Sequence, residues 1–165
     1  MPKNFEFFRL RAVRQLASFQ FGVDGELLFP EGCEVEVSPT TGKVRRVRHG
    51  GRVIATVRPS DGFLSLTFEG AQRLSELLNG RRMHVVVDEA GVRRVLEGFD
   101  VSPANIVEAD PGIIPGMEVL VYGVDGKLLA VGKAVLSGVE MLELERGTAV
   151  KVRHKAPSNL GIQHS

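Results

Sequence analysis

Residues 118–134 read EVLVYGVDGKLLAVGKA, two β-rich apolar runs on either side of Asp125-Gly126. An Asp-Gly pair in that setting signals a tight hairpin, because both central residues of the turn need positive φ, which Gly and Asp tolerate. Working outward, MHVVV (83–87) reads as a buried strand, followed by a short helix from Glu89 to about Leu96 that Gly98 ends. NIVEA (105–109) is a shorter, irregular strand, and TAVKVRHK (148–155) closes the set. Within SGVEMLELE (137–145), Ser137 and Glu140 stand at capping-box spacing and predict one helical turn. The second half is therefore a sheet interrupted by short helices.

GVDGKLL (123–129) has a near copy, GVDGELL, at 22–28. A duplicated domain would carry the likeness into its flanks. Here SFQF precedes one copy and VLVY the other, and FPEG and AVGK follow them. The two stretches are expected to be hairpin turns in separate sheets. Around the first copy, residues 5–17 predict a helix with Phe8, Ala12 and either Leu16 or Phe5 on one stripe. ASFQF, ELLF, CEVEV, KVRRVR, RVIATVR and FLSL then read as a small antiparallel sheet. Thr67 caps a helix through FEGAQRLSELL, with Phe68, Ala71, Leu74 and Leu78 at helical spacing. The helix stops at Asn79-Gly80, and NGRR (79–82) is the linker between the halves. The fold class is α+β, and the polar tail APSNLGIQHS (156–165) is expected to be disordered.

A chain of 165 residues suits one ordinary domain or two small ones. Its apolar runs, such as VIATV and LLAV, are strand-sized and fall far short of the ~18 residues a membrane helix needs. The Arg-rich start, PKNFEFFRLRAVRQLASF (2–19), lacks a secretory apolar region and reads as an amphipathic helix. Cys33 has no partner for an internal disulfide, which suits a reducing cytoplasm. Net charge is +1, but it is unevenly spread: residues 1–82 hold 13 Lys and Arg against 9 Asp and Glu, and residues 83–165 hold 8 against 11. Between Lys43 and Arg58 lie six basic residues and no acidic one.

SPTTGK (38–43) fails as a phosphate-binding loop, since Val37 stands where the first Gly is required, Val44 follows Lys43 and a strand comes next. It reads as a hairpin turn. His49, His84, His154 and His164 stand at no metal-ligand spacing with one another or with Cys33. There is no nucleophile elbow or paired-carboxylate motif, so no catalytic residue, metal or cofactor is expected. The run KVRRVRHGGRVIATVR suggests a hairpin turning at His49-Gly50-Gly51, whose Arg45, Arg46 and Arg48 either solvate an edge strand or contact a polyanion. In the last strand, alternation turns Val150 and Val152 inward and sets Lys151, Arg153 and Lys155 on one outer face. Three cations on one face repel unless an anion is near, which points towards nucleic acid.

The succession VSPANIVEADPGIIPGMEVLVYG, DGKLLAVGKAVLSGVEM and GTAVKVRH, behind a helix ending in Gly, resembles a PUA domain over residues 82–155. That resemblance implies an RNA-binding pseudobarrel of antiparallel strands, gripping RNA with its first helix, the loop after it and the last strand. Arg93, Arg94, Gly98, Lys151, Arg153 and Lys155 are its candidate RNA contacts, with Arg45, Arg46 and Arg48 a second set. Residues 1–80, through FQFGVDGELLF and SPTTGKVRRVRHGGRVIATVRPSDGFLSLTFEGAQRLSELL, resemble the domain preceding the PUA module in archaeal tRNA-guanine transglycosylases. That family's catalytic barrel, aspartates and zinc cluster have no counterpart in this stretch. The resemblance implies a tRNA-binding, non-catalytic part of archaeosine tRNA modification in an archaeal cytoplasm, working with a separate catalytic subunit, with no membrane or DNA as partner. Three other readings remain open: a PUA protein of ribosome assembly or translation on rRNA, a modification enzyme whose site is not visible, and an interaction module that has lost RNA binding.

Overall fold

The first Asp-Gly pair does not form a hairpin. A 20-residue helix, α1 (Pro2–Phe21), runs through the segment expected to hold the strand ASFQF and ends at Gly22. Asp24 then caps a single helical turn, α2 (Gly25–Leu28), by accepting the Glu26 amide at 2.9 Å. Its backbone is extended, and Gly25 is not at positive φ as a tight hairpin turn would need. Gly25 is there for another reason: a Cβ at this position would come 1.9 Å from the Arg14 carbonyl oxygen. The near-identical heptapeptides are therefore a helix cap in one place and a strand turn in the other.

The computed structural model describes residues 2–78 and 82–157, and the chain divides into units 1–78 and 79–165. The linker core at 79–81 and the tail from 158 onward lie outside the described residues.

In the first unit α1 buries Val13, Ala17 and Phe21, a four-residue stripe set one position on from Phe8 and Ala12, both exposed. The expected stripe misses because only the C-terminal half of the helix meets the body of the unit. Gln20 fixes that meeting. Its side-chain amide donates to the Leu64 carbonyl at 2.9 Å and accepts from the Leu64 amide at 2.8 Å, pairing as a strand would. Strands β1 (Cys33–Val37), β2 (Val44–His49), β3 (Arg52–Val57) and β4 (Leu64–Leu66) form an antiparallel meander in sequence order. The basic strand β2 is consequently interior, paired on both sides. Gly50 and Gly51, both at positive φ, make the β2–β3 turn. Thr67 caps α3 (Phe68–Leu77) through the Gly70 amide, and Val47, Ile54, Leu66 and Leu74 are buried in the core.

The second unit follows its sequence closely. Strands β5 (His84–Val87), β6 (Ile106–Ala109), β7 (Glu118–Gly123), β8 (Leu128–Ala134) and β9 (Val150–Lys155) are ordered β6-β5-β7-β8-β9. All pairs are antiparallel except β5–β7, which is parallel. Helices α4 (Glu89–Leu96) and α5 (Gly138–Glu143) lie where expected, and Ser137 with Glu140 completes the capping box. Asp125-Gly126 turns β7 into β8 as expected, but only Gly126 is left-handed, at φ 85; Asp125 is not at positive φ, so the turn is not the tight type in which both central residues are. Asp110 ties the start of β5 to the following loop, its carboxylate accepting the amides of Met83 at 2.7 Å and Gly112 at 2.9 Å. Burial works against that charge, but the two amides, together with the nearby charges of His84 and Arg82, outweigh it and hold the carboxyl below its usual range.

Candidate nucleic-acid interface

Helix α4 ends in two hydrogen bonds that aim the next loop. The Gly98 amide donates to the Val95 carbonyl and the Phe99 amide to the Arg94 carbonyl, 3.0 and 2.9 Å, with Gly98 at φ 100. This is a Schellman stop, and Gly98 is present for its left-handed backbone. The turn leaves Phe99 half exposed, with the Arg94 guanidinium 4.8 Å from its ring centroid. Beyond it, Val101 bridges to Val150 and Asp100 accepts the Val152 amide at 2.9 Å, so the loop lies against β9. From β9, Lys155 donates to the Leu96 carbonyl at 2.8 Å and so supplies a cation to the C-terminal end of α4. Arg94, Gly98, Phe99 and Lys155 thus meet in one place. Arg93 lies one residue away on the helix, exposed and 3.6 Å from Glu89.

The last strand does not alternate as expected. Its register against β8 shifts between Val131 and Gly132, so that Gly132 faces Val152, Val131 faces His154, and Arg153 is the extra residue. A bulge of this kind reverses alternation beyond it. Lys155 and Val152 share one face, while Lys151 and His154 share the other. Arg153 turns to Glu118, a fully buried carboxylate, and binds it in a fork, with Nη1 2.9 Å from Oε1. Its charge is engaged within the fold. Lys151 is exposed and stands directly across from Lys133. Burial holds His154 below the usual imidazole range, and repulsion by Arg153 adds to this against the attraction of Glu118.

In the first unit Arg46 and Arg48 share one carboxylate, Glu36 of β1, at 3.1 and 3.2 Å. Hydrogen bonding from Arg48, helped by the charges of both arginines, draws the Glu36 carboxyl below its usual range although desolvation opposes this. Arg45, just before them on the strand, is exposed. Sequence reasoning passed over Glu118 and Phe99. A carboxylate in the otherwise apolar EVLV gives no warning of burial, whereas Phe99, following an Arg-Arg helix and a stop glycine, was a readable signal. Among the described residues no helix is long and apolar enough to cross a membrane, and no group of three His, Cys, Asp or Glu can hold a metal ion.

Family models match both units: residues 11–80 fit the patch-forming domain C2 of tRNA-guanine transglycosylase, and residues 83–156 fit the PUA domain. Residues 83–156 are a PUA domain. The PUA domain and C2 domain together align with the tRNA-guanine(15) transglycosylase of Pyrococcus abyssi at 46% identity over 144 residues. That alignment takes in 87% of this chain and 24% of the archaeal protein. The Methanothermobacter thermautotrophicus transglycosylase aligns at 41% over 145 residues, 22% of its length. The chain therefore spans about a quarter of the length of the transglycosylases it matches. Over nearly its whole length, the chain superposes on a hypothetical protein of Pyrococcus horikoshii, with a TM-score of 0.71, 28% identity and 95% of each chain covered. A conserved PUA domain protein of Thermoplasma acidophilum gives a TM-score of 0.60 at 25% identity, covering 91% of this chain and 90% of the other.

Proposed function

We propose that this protein binds RNA, with tRNA as its natural ligand, in the groove between the end of α4, the Gly98 loop and β9. The observation that carries this reading is the Arg94–Phe99–Lys155 cluster. It places two cations beside an exposed aromatic face in a PUA domain joined to a transglycosylase-type C2 domain. Cations neutralise phosphates without reading sequence, and an exposed ring stacks on an unpaired base. The groove therefore suits an RNA end or a splayed nucleotide better than a continuous duplex. The protein acts as a non-catalytic RNA-binding part of archaeosine tRNA modification in an archaeal cytoplasm, and a separate subunit supplies the base-exchange chemistry.

Filter binding of the purified chain to an unmodified tRNA transcript, beside an rRNA fragment of equal length, tests the binding reading. Preference for the tRNA supports it; no retention of either RNA at low salt overturns it. The role in modification is tested by incorporation of labelled guanine or its deazaguanine precursor. The chain alone should incorporate none, and it should raise incorporation by an added catalytic subunit. Incorporation by the chain alone would make it an enzyme.

A further inference from the structure

We infer that the cleft at one end of the first unit's sheet is a second seat for RNA, one that holds backbone phosphates with Lys43, Arg45 and Arg58. The proposal rests on the RNA-binding reading above, but it concerns a different unit and different side chains. The cleft lies between two hairpin turns with one construction. Ser38-Pro-Thr-Thr-Gly-Lys43 joins β1 to β2, and Arg58-Pro-Ser-Asp-Gly-Phe63 joins β3 to β4. In each the first residue's amide donates to the sixth residue's carbonyl and the Gly amide donates to the first residue's carbonyl, all at 2.8 Å. Gly42 and Gly62 have φ 72 and 78. In a four-stranded meander these two connections share an end of the sheet, and the Gly50-Gly51 turn occupies the other.

The space the turns enclose is about 830 Å³, lined by Lys43, Arg45, Arg46, Thr56, Arg58 and Asp61 among others. Four cations face one carboxylate there. Arg46 is engaged by Glu36, but neither Lys43 nor Arg45 has a carboxylate within ion-pair distance among the described residues, and both are exposed. Arg58 is largely enclosed. Its Nε lies 3.2 Å from Asp61 Oδ1 without hydrogen-bond geometry and has no other partner, and its guanidinium sits 6.0 Å over the Phe63 ring. Lys43 and Arg45 thus add positive charge that no carboxylate offsets, and an anion in the cleft relieves the repulsion among the four cations.

The chemistry of the lining says which anion. A site for a single phosphate or nucleotide is built from converging backbone amides. Here those amides are committed: Thr40 and Thr41 donate to Ser38 Oγ, Lys43 to Thr41 Oγ1 and Phe63 to Asp61 Oδ1. What remains is long cationic side chains spread across a wide, open space. That arrangement follows a chain of phosphates and reads no base.

The test is tRNA-transcript affinity across a salt series for Lys43→Ala/Arg45→Ala, with Arg11→Ala/Arg52→Ala removing equal charge elsewhere in the unit. All four side chains are exposed or at strand ends, and circular dichroism checks that each variant is folded. Two lost phosphate contacts lower the salt slope by about two units, so the cleft variant's deficit should shrink about sixteenfold between about 50 and 200 mM salt. The Arg11/Arg52 control should stay within about twofold of wild type. Wild-type binding that survives the cleft changes but falls with Arg94→Ala overturns the cleft and leaves the RNA reading standing. Equal losses for cleft and control would mean diffuse attraction and also overturn it. Failure of the unaltered chain to bind RNA overturns both.

Discussion

Arg153 reaches from the final strand to Glu118 and holds both carboxylate oxygens of a side chain with no exposed surface. An ion pair this buried adds little net stability over an apolar pair, but removing one partner strands the other. Arg153→Ala should therefore destabilise the second unit by about 3–5 kcal/mol, read from urea unfolding. Glu118→Leu with Arg153→Met should recover most of that loss. Arg153→Ala without a stability cost would mean that the fork does not persist in solution.

Phe99 and Arg94 should contribute to RNA binding in ways that salt separates. Phe99→Ala removes a stacking surface worth about 1–3 kcal/mol per base and should leave the salt slope unchanged. Arg94→Ala should lower the slope by about one unit. Lys127→Ala, in the β7–β8 turn, should change neither by much. Lys133 is a poor control because Lys151 lies directly across the strand pair from it. A Phe99→Ala protein with full affinity would remove stacking from the account.

Asp110 makes the second unit's stability depend on acid pH. Its carboxyl is held below the usual range in the folded state, chiefly by the Met83 and Gly112 amides acting against burial. A lowered folded pKa contributes stability that is present above the unfolded value of about 3.9 and is lost as pH falls through the folded value. Asp110→Asn should be less stable than wild type at neutral pH, and the two should converge under acid. The Met83 amide bond matters here because Met83 has φ 60, a left-handed backbone in a buried non-glycine residue. Urea midpoints for both proteins from neutral pH to about pH 2.5 would show the convergence; a constant gap would mean that the carboxylate's charge is not what matters.

The second unit was legible because its signals are local: an Asp-Gly turn, a capping box at Ser137 and Glu140, and a glycine stop after Leu96. The bulge at Val131–Gly132 was not, since nothing in GTAVKVRHK marks where the partner strand slips, and one residue of slip moved Lys151 and Lys155 to opposite faces. Strand-like runs also misled in the first unit. ASFQF and ELLF are strand-sized and apolar, yet the first lies in α1, which Gln20 ties to the Leu64 backbone, and Glu26–Leu28 of the second lie in α2, which Asp24 caps. Those are tertiary and capping decisions that short apolar runs do not reveal.

The two Asp-Gly pairs give the most direct check on that difference, because one substitution meets two different obstacles. At Gly126 the backbone is left-handed and nothing lies within 4 Å of the missing Cβ. Gly126→Ala should cost about 1–2 kcal/mol from backbone strain alone, and Gly126→Asn should recover part of it, because Asn tolerates that conformation. At Gly25 the backbone is permissive, but a Cβ would meet the Arg14 carbonyl oxygen at 1.9 Å, its carbon at 2.6 Å and its Cα at 2.9 Å. All three are main-chain atoms of α1, so relief requires the helix to move. That would disturb the bond from Arg14 Nε to the Phe29 carbonyl and from the Gly25 amide to Ser18 Oγ. Gly25→Ala should cost about 3 kcal/mol or more, and Gly25→Asn should be no better. Hydrogen exchange resolved along the chain is the measurement. Gly25→Ala should release protection chiefly in β1–β4 and Gly126→Ala chiefly in β7–β8. Rescue by Asn at Gly25 would mean that a left-handed turn, and not a close approach of two helices, decides that position.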